Sequence, residues 1–191
     1  MLQEVILVNE NDEQIGVMEK IAAHEKALLH RAFSVFIFNS NGLMLLQKRA
    51  VSKYHSPGLW SNACCSHPMP GEATHDAATR RLHEELGFTT SIEKAFHFTY
   101  KATFDNGLTE HEFDHVYLGH YDGSIYPEPN EVDTYKYLSI SEIQKEITEY
   151  PGSFTPWFLI AFPLLKDWIH QQGNTFALPI PFKFEELLSI R

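Results

Sequence analysis

Cys64, Cys65 and His67 stand within four positions of one another, inside the run PGLWSNACCSHPMPGEATHDAATRRLHEELGF from Pro57 to Phe88. A thiol and an imidazole this close can exchange protons or take part in holding a metal. In an extended segment neighbours face opposite ways, so Cys65 and His67 share a side, and Cys64 falls on the other as a small buried hydrophobe. The same run carries a helix punctuated by Thr74 as N-cap, Asp76 in the first turn and Gly87 at the C-terminal end. Ala78, Leu82 and Leu86 form its apolar stripe. Glu85 projects only about 20° from Ala78 on the helical wheel, whereas Glu84 is about 120° away. A carboxylate facing the core is costly without a partner. Two partners satisfy it: Arg81 one turn earlier, or a divalent cation shared with Glu72 in a hard oxygen site.

Two further stretches could do chemistry. In TEHEFDHVYLGHY, period-2 geometry places Glu110, Glu112 and Asp114 on one face, continuing into Val116 and Leu118. Carboxylates leading into an apolar row suit either the mouth of an interior pocket or an edge strand with its charges in solvent. The loop KRAVSKYHSPG holds Lys48, Arg49 and Lys53 directly before the Cys/His run. Such a loop is either solvated or an anion site, which Lys20 and Arg81 could join. His24 and His30 lie six apart, a separation that one helix face does not join. If both bind one metal, the chain bends between them.

The elements that must position these groups are legible. Glu4–Asn9 and Ile15–Met18 read as a hairpin, Phe33–Asn39 and Leu43–Lys48 as a second one around Asn41-Gly42. Ala95–Phe104 is a long strand, with Asp105-Asn106-Gly107 turning it toward TEHE. Tyr135–Leu138 is a last strand and Ser141–Glu149 a helix. An apolar helix follows, with Thr155 as N-cap, Pro156 at its first position and Trp157 in its first turn. Strands on either side of a helix-bearing loop, with helices at the end, predict a mixed α/β (α+β) sandwich. A single domain over 1–171 is expected, with 172–191 as a tail packed on the domain or a partner.

The 191 residues carry 43% hydrophobic side chains and a net charge of −10. That charge argues against nucleic-acid partners and anionic membrane surfaces, so an anionic substrate needs a local basic pocket or metal ions. The apolar runs Val5–Val8 and Trp157–Leu165 are too short to cross a bilayer. Two adjacent cysteines form no disulfide framework, and a reduced, cytoplasmic setting is expected.

The helix run resembles the Nudix box. Seven residues separate Glu72 from Arg80, and Leu82, Glu84, Glu85, Gly87 and Phe88 fall in register. Ser66 replaces the leading glycine and Arg81 the first glutamate of the closing motif. NACCSHP, together with EKIAAH, LLHRAF, LQKRAVSK, FTYKAT, TEHE and FTPW in order, resembles type I isopentenyl-diphosphate isomerase from about Val5 to His170. That resemblance implies a Nudix-like sheet flanked by helices and an isomerase interconverting isopentenyl and dimethylallyl diphosphate through a carbocation-like species. It implies Cys65 and Glu112 as acid and base, Tyr100 bonded near the glutamate, and Trp157 facing the cation. It further implies His24, His30, His67, Glu110 and Glu112 on one Zn²⁺ or Mn²⁺, and Glu85 on a Mg²⁺ that bridges to the diphosphate. Lys20, Arg49, Lys53 and Arg81 match the diphosphate contacts. The expected partner is a small isoprenyl diphosphate, the expected assembly a monomer or homodimer. A Nudix pyrophosphohydrolase of a nucleoside diphosphate derivative is the alternative, and a metal-stabilised binding module without turnover a further one.

Overall fold

The computed structural model describes residues 3–53, 55–104 and 106–172. In chain order the strands are β1 (Glu4–Val8), β2 (Gln14–Glu19), β3 (His30–Phe38), β4 (Met44–Arg49), β5 (Trp60–Asn62), β6 (Cys64–Ser66), β7 (Ile92–Thr103), β8 (Thr109–His120) and β9 (Val132–Leu138). The helices among the described residues are α1 (Lys20–Glu25), α2 (Thr74–Leu86), α3 (Ile140–Glu149) and α4 (Pro156–Gln172), with a single 3₁₀ turn at Pro151–Ser153. Of the expected tail only Gln172 is described, as the last residue of α4, and the turn residue Asp105 lies outside the described residues.

β3 is the spine. It runs parallel to β8 from His30↔Glu112 to Phe38↔His120 and antiparallel to β6 through Ser34↔Cys65 and Val35↔Cys64. β7 extends this sheet along the whole length of β8. A second, antiparallel group places β4 between β5 and β9, and meets β3 only at Phe38↔Met44. β8 is therefore interior, hydrogen-bonded on both edges, and Glu110, Glu112 and Asp114 are buried rather than solvated.

Strand alternation sorts the core onto two faces. Phe33, Val35 and Ile37 of β3 pack with Ala77, Ala78, Leu82 and Leu86 of α2. Phe36 and Phe38 pack with Phe158, Ala161, Phe162 and Leu165 of α4. Both faces of the mixed sheet are thus covered, as the expected α+β sandwich requires.

Local chemistry sets the bends. The Glu19 carboxylate accepts from Ile21 and Ala22 N–H and caps α1, which ends before Ala27 turns the chain at φ 52° into β3. His24 thus closes on His30 despite the unfavourable helical separation. The α2 cap differs from expectation: Ala73 occupies the N-cap without a side-chain hydrogen bond, and Thr74 is the first helical residue. The Glu72 carboxylate braces the preceding turn by accepting from Met69 N–H at 2.9 Å, and this turn sets the start of the helix one residue earlier. Gly87 ends α2 at φ 74°, and a Cβ there would stand 2.7 Å from the Tyr126 carbonyl oxygen, so only glycine fits without a shift. Ser139 and Glu142 close a capping box on α3. Thr155 accepts from Phe158 N–H (3.4 Å) at the start of α4.

Candidate active site

A cleft of about 170 Å³ opens where β3, β6, β8 and α4 meet, and its lining includes Cys65, His67, Tyr100, Glu110, Glu112 and Trp157 together with Lys20, Arg49, Lys53 and Arg81. Cys65 reaches it because Ser34↔Cys65 pairing turns both side chains to the α4 face, whereas Cys64 is wholly buried on the α2 face. Cys65 Sγ donates to Asn62 Oδ1 at 2.9 Å and lies 3.4 Å from Ser34 Oγ. Burial pushes its thiol up, with the Asp114 charge adding, so the group rests protonated.

Glu112 faces two ways. One oxygen accepts from the Tyr100 hydroxyl (2.7 Å), and the other lies 2.9 Å from His67 Nε2 and 3.6 Å from His30 Nε2. Burial opposes its ionisation, but His67 and His30 outweigh that and hold the carboxyl well below the usual range. Glu110 shares the same tyrosine at 3.0 Å, and burial plus the Glu112 charge push its carboxyl well up. Two carboxyls on one phenol thus differ sharply in proton affinity.

The ligand atoms of His24, His30, His67 and Glu112 all lie within 4.8 Å of one another, and all four residues are buried. His30 Nδ1 donates to the Leu28 carbonyl (2.8 Å), which leaves Nε2 with a lone pair only 3.2 Å from His67 Nε2. Neither ring nitrogen of His24 has a hydrogen-bond partner among the described residues. Burial, reinforced by the neighbouring histidines, pushes His24 down to about 3, so its ring is neutral and offers a lone pair. The two unpartnered nitrogens of His24, beside two further imidazoles and a carboxylate, are compatible with a divalent cation. Glu110 stands beside this group, not in it: its carboxyl is on Tyr100 and 3.6 Å from His55 Nε2.

Glu85 is buried with both oxygens engaged, by Arg81 (2.7 Å) and by Gln47 (2.9 Å), so of the two partners the sequence allowed, arginine is present. Arg81 also reaches Glu84 and Glu131, and Lys53 bonds Glu131. Glu72 is held by Arg80 through two hydrogen bonds of 2.7 and 2.8 Å and does not line the cleft. Burial and nearby cations push Lys20 down to about 8. The Arg49 guanidinium sits 5.0 Å over the Trp157 ring, whose Nε1–H donates to Ser61 Oγ at 2.9 Å.

Several lining residues escaped sequence reasoning. Glu131 was legible only as an acidic loop residue, although it organises Lys53 and Arg81. His55 lies in the basic loop itself and packs its ring edge-on to Trp157 at 5.5 Å. A histidine two residues after Lys53, within the basic loop, was the available signal. Ser34 gave none, because its role depends on strands brought together by folding.

Residues 28–158 match the NUDIX domain. Isopentenyl-diphosphate Delta-isomerase of Pectobacterium atrosepticum is 52% identical over 167 residues, covering 87% of this chain and 93% of that protein. The Burkholderia multivorans protein of the same name is 44% identical, covering 90% and 100%. Among solved structures, DR0079 from Deinococcus radiodurans aligns with TM-score 0.65 at 22% identity over 78% of this chain and 90% of its own. The MutT protein from Methanosarcina mazei Go1 aligns with TM-score 0.61 at 17% identity over 75% and 95%. These two structures share the fold, the sequence relatives share the cleft-bearing length as well, and the chain belongs to the isopentenyl-diphosphate Delta-isomerase family within the Nudix fold.

Proposed function

We propose that the enzyme interconverts isopentenyl and dimethylallyl diphosphate with Cys65 and Glu112 as its proton-transfer pair. The observation that carries this reading is one cleft lined by a thiol, a Tyr100-bonded carboxylate, an indole and four cationic side chains. Moving the double bond needs a proton added to the terminal alkene carbon and one removed from the methylene that lies between the branched carbon and the ester-bearing carbon. The charge in between rests on a tertiary carbon. One of the two groups gives the first proton, the other takes the second, and reversibility requires each to serve both ways. Trp157 offers a π face to the intermediate charge. Tyr100 holds Glu112 by a 2.7 Å hydrogen bond, fixing the direction in which its lone pairs face.

The diphosphate sits among Lys20, Arg49, Lys53 and Arg81. Arg81 is on Glu85; a bound diphosphate would offer Arg81 a more strongly charged partner, and Glu85 would then hold a Mg²⁺ that supplies positive charge to the diphosphate. His24, His30, His67 and Glu112 hold Zn²⁺ or Mn²⁺, with Glu110 adjacent; three imidazoles suit these ions better than Mg²⁺. As one of the ion's ligands, Glu112 would be held in place and made more acidic.

Hydrolysis is disfavoured because Glu72 and Glu84 are neutralised by Arg80 and Arg81, and the thiol has no use in it. Incubation with isopentenyl diphosphate should yield dimethylallyl diphosphate without free phosphate. Phosphate or nucleotide release from a nucleoside diphosphate panel, with no isomerisation, would sink the proposal.

A further inference from the structure

Asp114 is a buried carboxyl that the chemistry above does not use. It is 1% exposed, its Oδ2 accepts the Ser34 hydroxyl at 2.7 Å, and its Oδ1 has no hydrogen-bond partner among the described residues. Leaving a carboxyl this buried is costly, so its retention calls for an account. Ser34 is equally buried, lines the cleft, and lies 3.4 Å from Cys65 Sγ.

The hydrogens can be counted. Asn62 gives both amide hydrogens to backbone, to Val35 O at 3.0 Å and to Cys64 O at 2.9 Å, and its Oδ1 accepts, from Cys65 at 2.9 Å and from the Ser61 hydroxyl at 3.1 Å. Ser34 has one hydroxyl hydrogen, and Asp114 takes it. Oδ2 accepts it from Ser34 both in the carboxylate and in the acid that carries its proton on Oδ1. Both polar neighbours of the sulfur therefore present lone pairs alone, and the sulfur is left as the donor of the trio.

We propose that Asp114 is a positioning residue for Cys65, acting through Ser34: it withholds the Ser34 hydrogen from the sulfur, so that the thiol is held by acceptors only and keeps one orientation toward the cleft. Without Asp114, the Ser34 hydroxyl turns and donates to Sγ, drawing the thiol out of line with the alkene. The diphosphate contacts are made by other residues, so the defect belongs to the proton-transfer step and not to binding. The inference rests on the isomerase reading and deepens it.

The test is a double-mutant cycle in kcat and KM for isopentenyl diphosphate, with folding checked by thermal unfolding. Asp114→Ala and Ser34→Ala should each lower kcat about tenfold, the worth of one hydrogen bond, with KM changed by less than about twofold. Asp114→Asn keeps an acceptor for Ser34 and should stay within about threefold of the parent. The double variant should be no slower than the slower single one, because both act along one chain of contacts. Should Asp114→Ala fail to fold, Ser34→Ala beside Asp114→Asn carries the same comparison. An unchanged kcat in Asp114→Ala overturns the proposal, as do losses that multiply in the double variant or an Asn variant as slow as Ala. A parent protein that does not isomerise overturns the isomerase reading first and this inference with it.

Discussion

Trp157 donates its Nε1–H to Ser61 and carries Arg49 over its ring, and the proposed function gives its face to the cationic intermediate. A cation–π contact in a desolvated cleft is worth about 2 kcal/mol. Trp157→Ala should therefore lower kcat by about thirtyfold or more with KM little changed, and Trp157→Phe should lose much less. Steady-state kinetics on both variants checks this, and equal losses would remove the aromatic face from the account. Much at this scale was legible in advance. Alternation alone separated Cys64 from Cys65, and period-2 spacing put Glu110, Glu112 and Asp114 together. What could not be read was the partner of each group, since Ser34 and Asp114 are eighty positions apart and only the β3–β8 pairing joins them.

Elements show the same division. The termini of α2 depend on two local decisions, one foreseen and one not. Gly87 was expected from its position and is required by its φ of 74° and the nearby Tyr126 carbonyl. Gly87→Ala should cost about 2 kcal/mol of stability, read as a lower melting temperature. Thr74 was misplaced by one residue, since the turn braced by Glu72 fixes the helix start and sequence spacing does not reveal it. With Ala73 at the cap, Ala73→Ser should stabilise the protein by about 1 kcal/mol, measured by denaturant unfolding. A loss would mean that the backbone at that position cannot place a serine hydroxyl over the first turn. The interior position of β8 was also open in the sequence, because pairing partners are non-local and a charged strand suits an edge equally well.

For the whole molecule, stability and site are joined through the buried histidines. A cation among His24, His30, His67 and Glu112 would give the two His24 nitrogens, which lack hydrogen-bond partners among the described residues, something to bind. Removing metal with a chelator should lower the melting temperature, and Zn²⁺ or Mn²⁺, but not Mg²⁺ alone, should restore it. In His24→Ala the chelator effect should shrink. Away from that cluster, burial, with Lys94 adding to it, pushes His115 down to about 4; Asp12 opposes this, and Arg31 and His97 also face it. An unfolded histidine titrates near about 6.5, so the unfolded chain takes up the proton first as pH falls. The contribution of His115 is therefore intact above about pH 6.5 and lost progressively toward about pH 4. His115→Phe should flatten the pH dependence of unfolding free energy in that window, and an unchanged slope would assign the dependence elsewhere. No helix among the described residues is long and apolar enough to cross a membrane.

The central claim is that Cys65 and Glu112 move protons across one alkene. The direct measurement is isopentenyl diphosphate incubated with the Mg²⁺-supplemented enzyme in D₂O, its olefinic protons followed by NMR beside a Cys65→Ser control. The account predicts dimethylallyl diphosphate carrying deuterium, and a loss of rate in the folded control of at least about a hundredfold. Isomerisation by Cys65→Ser at the parent rate, or none by the folded, metal-loaded parent, would contradict it.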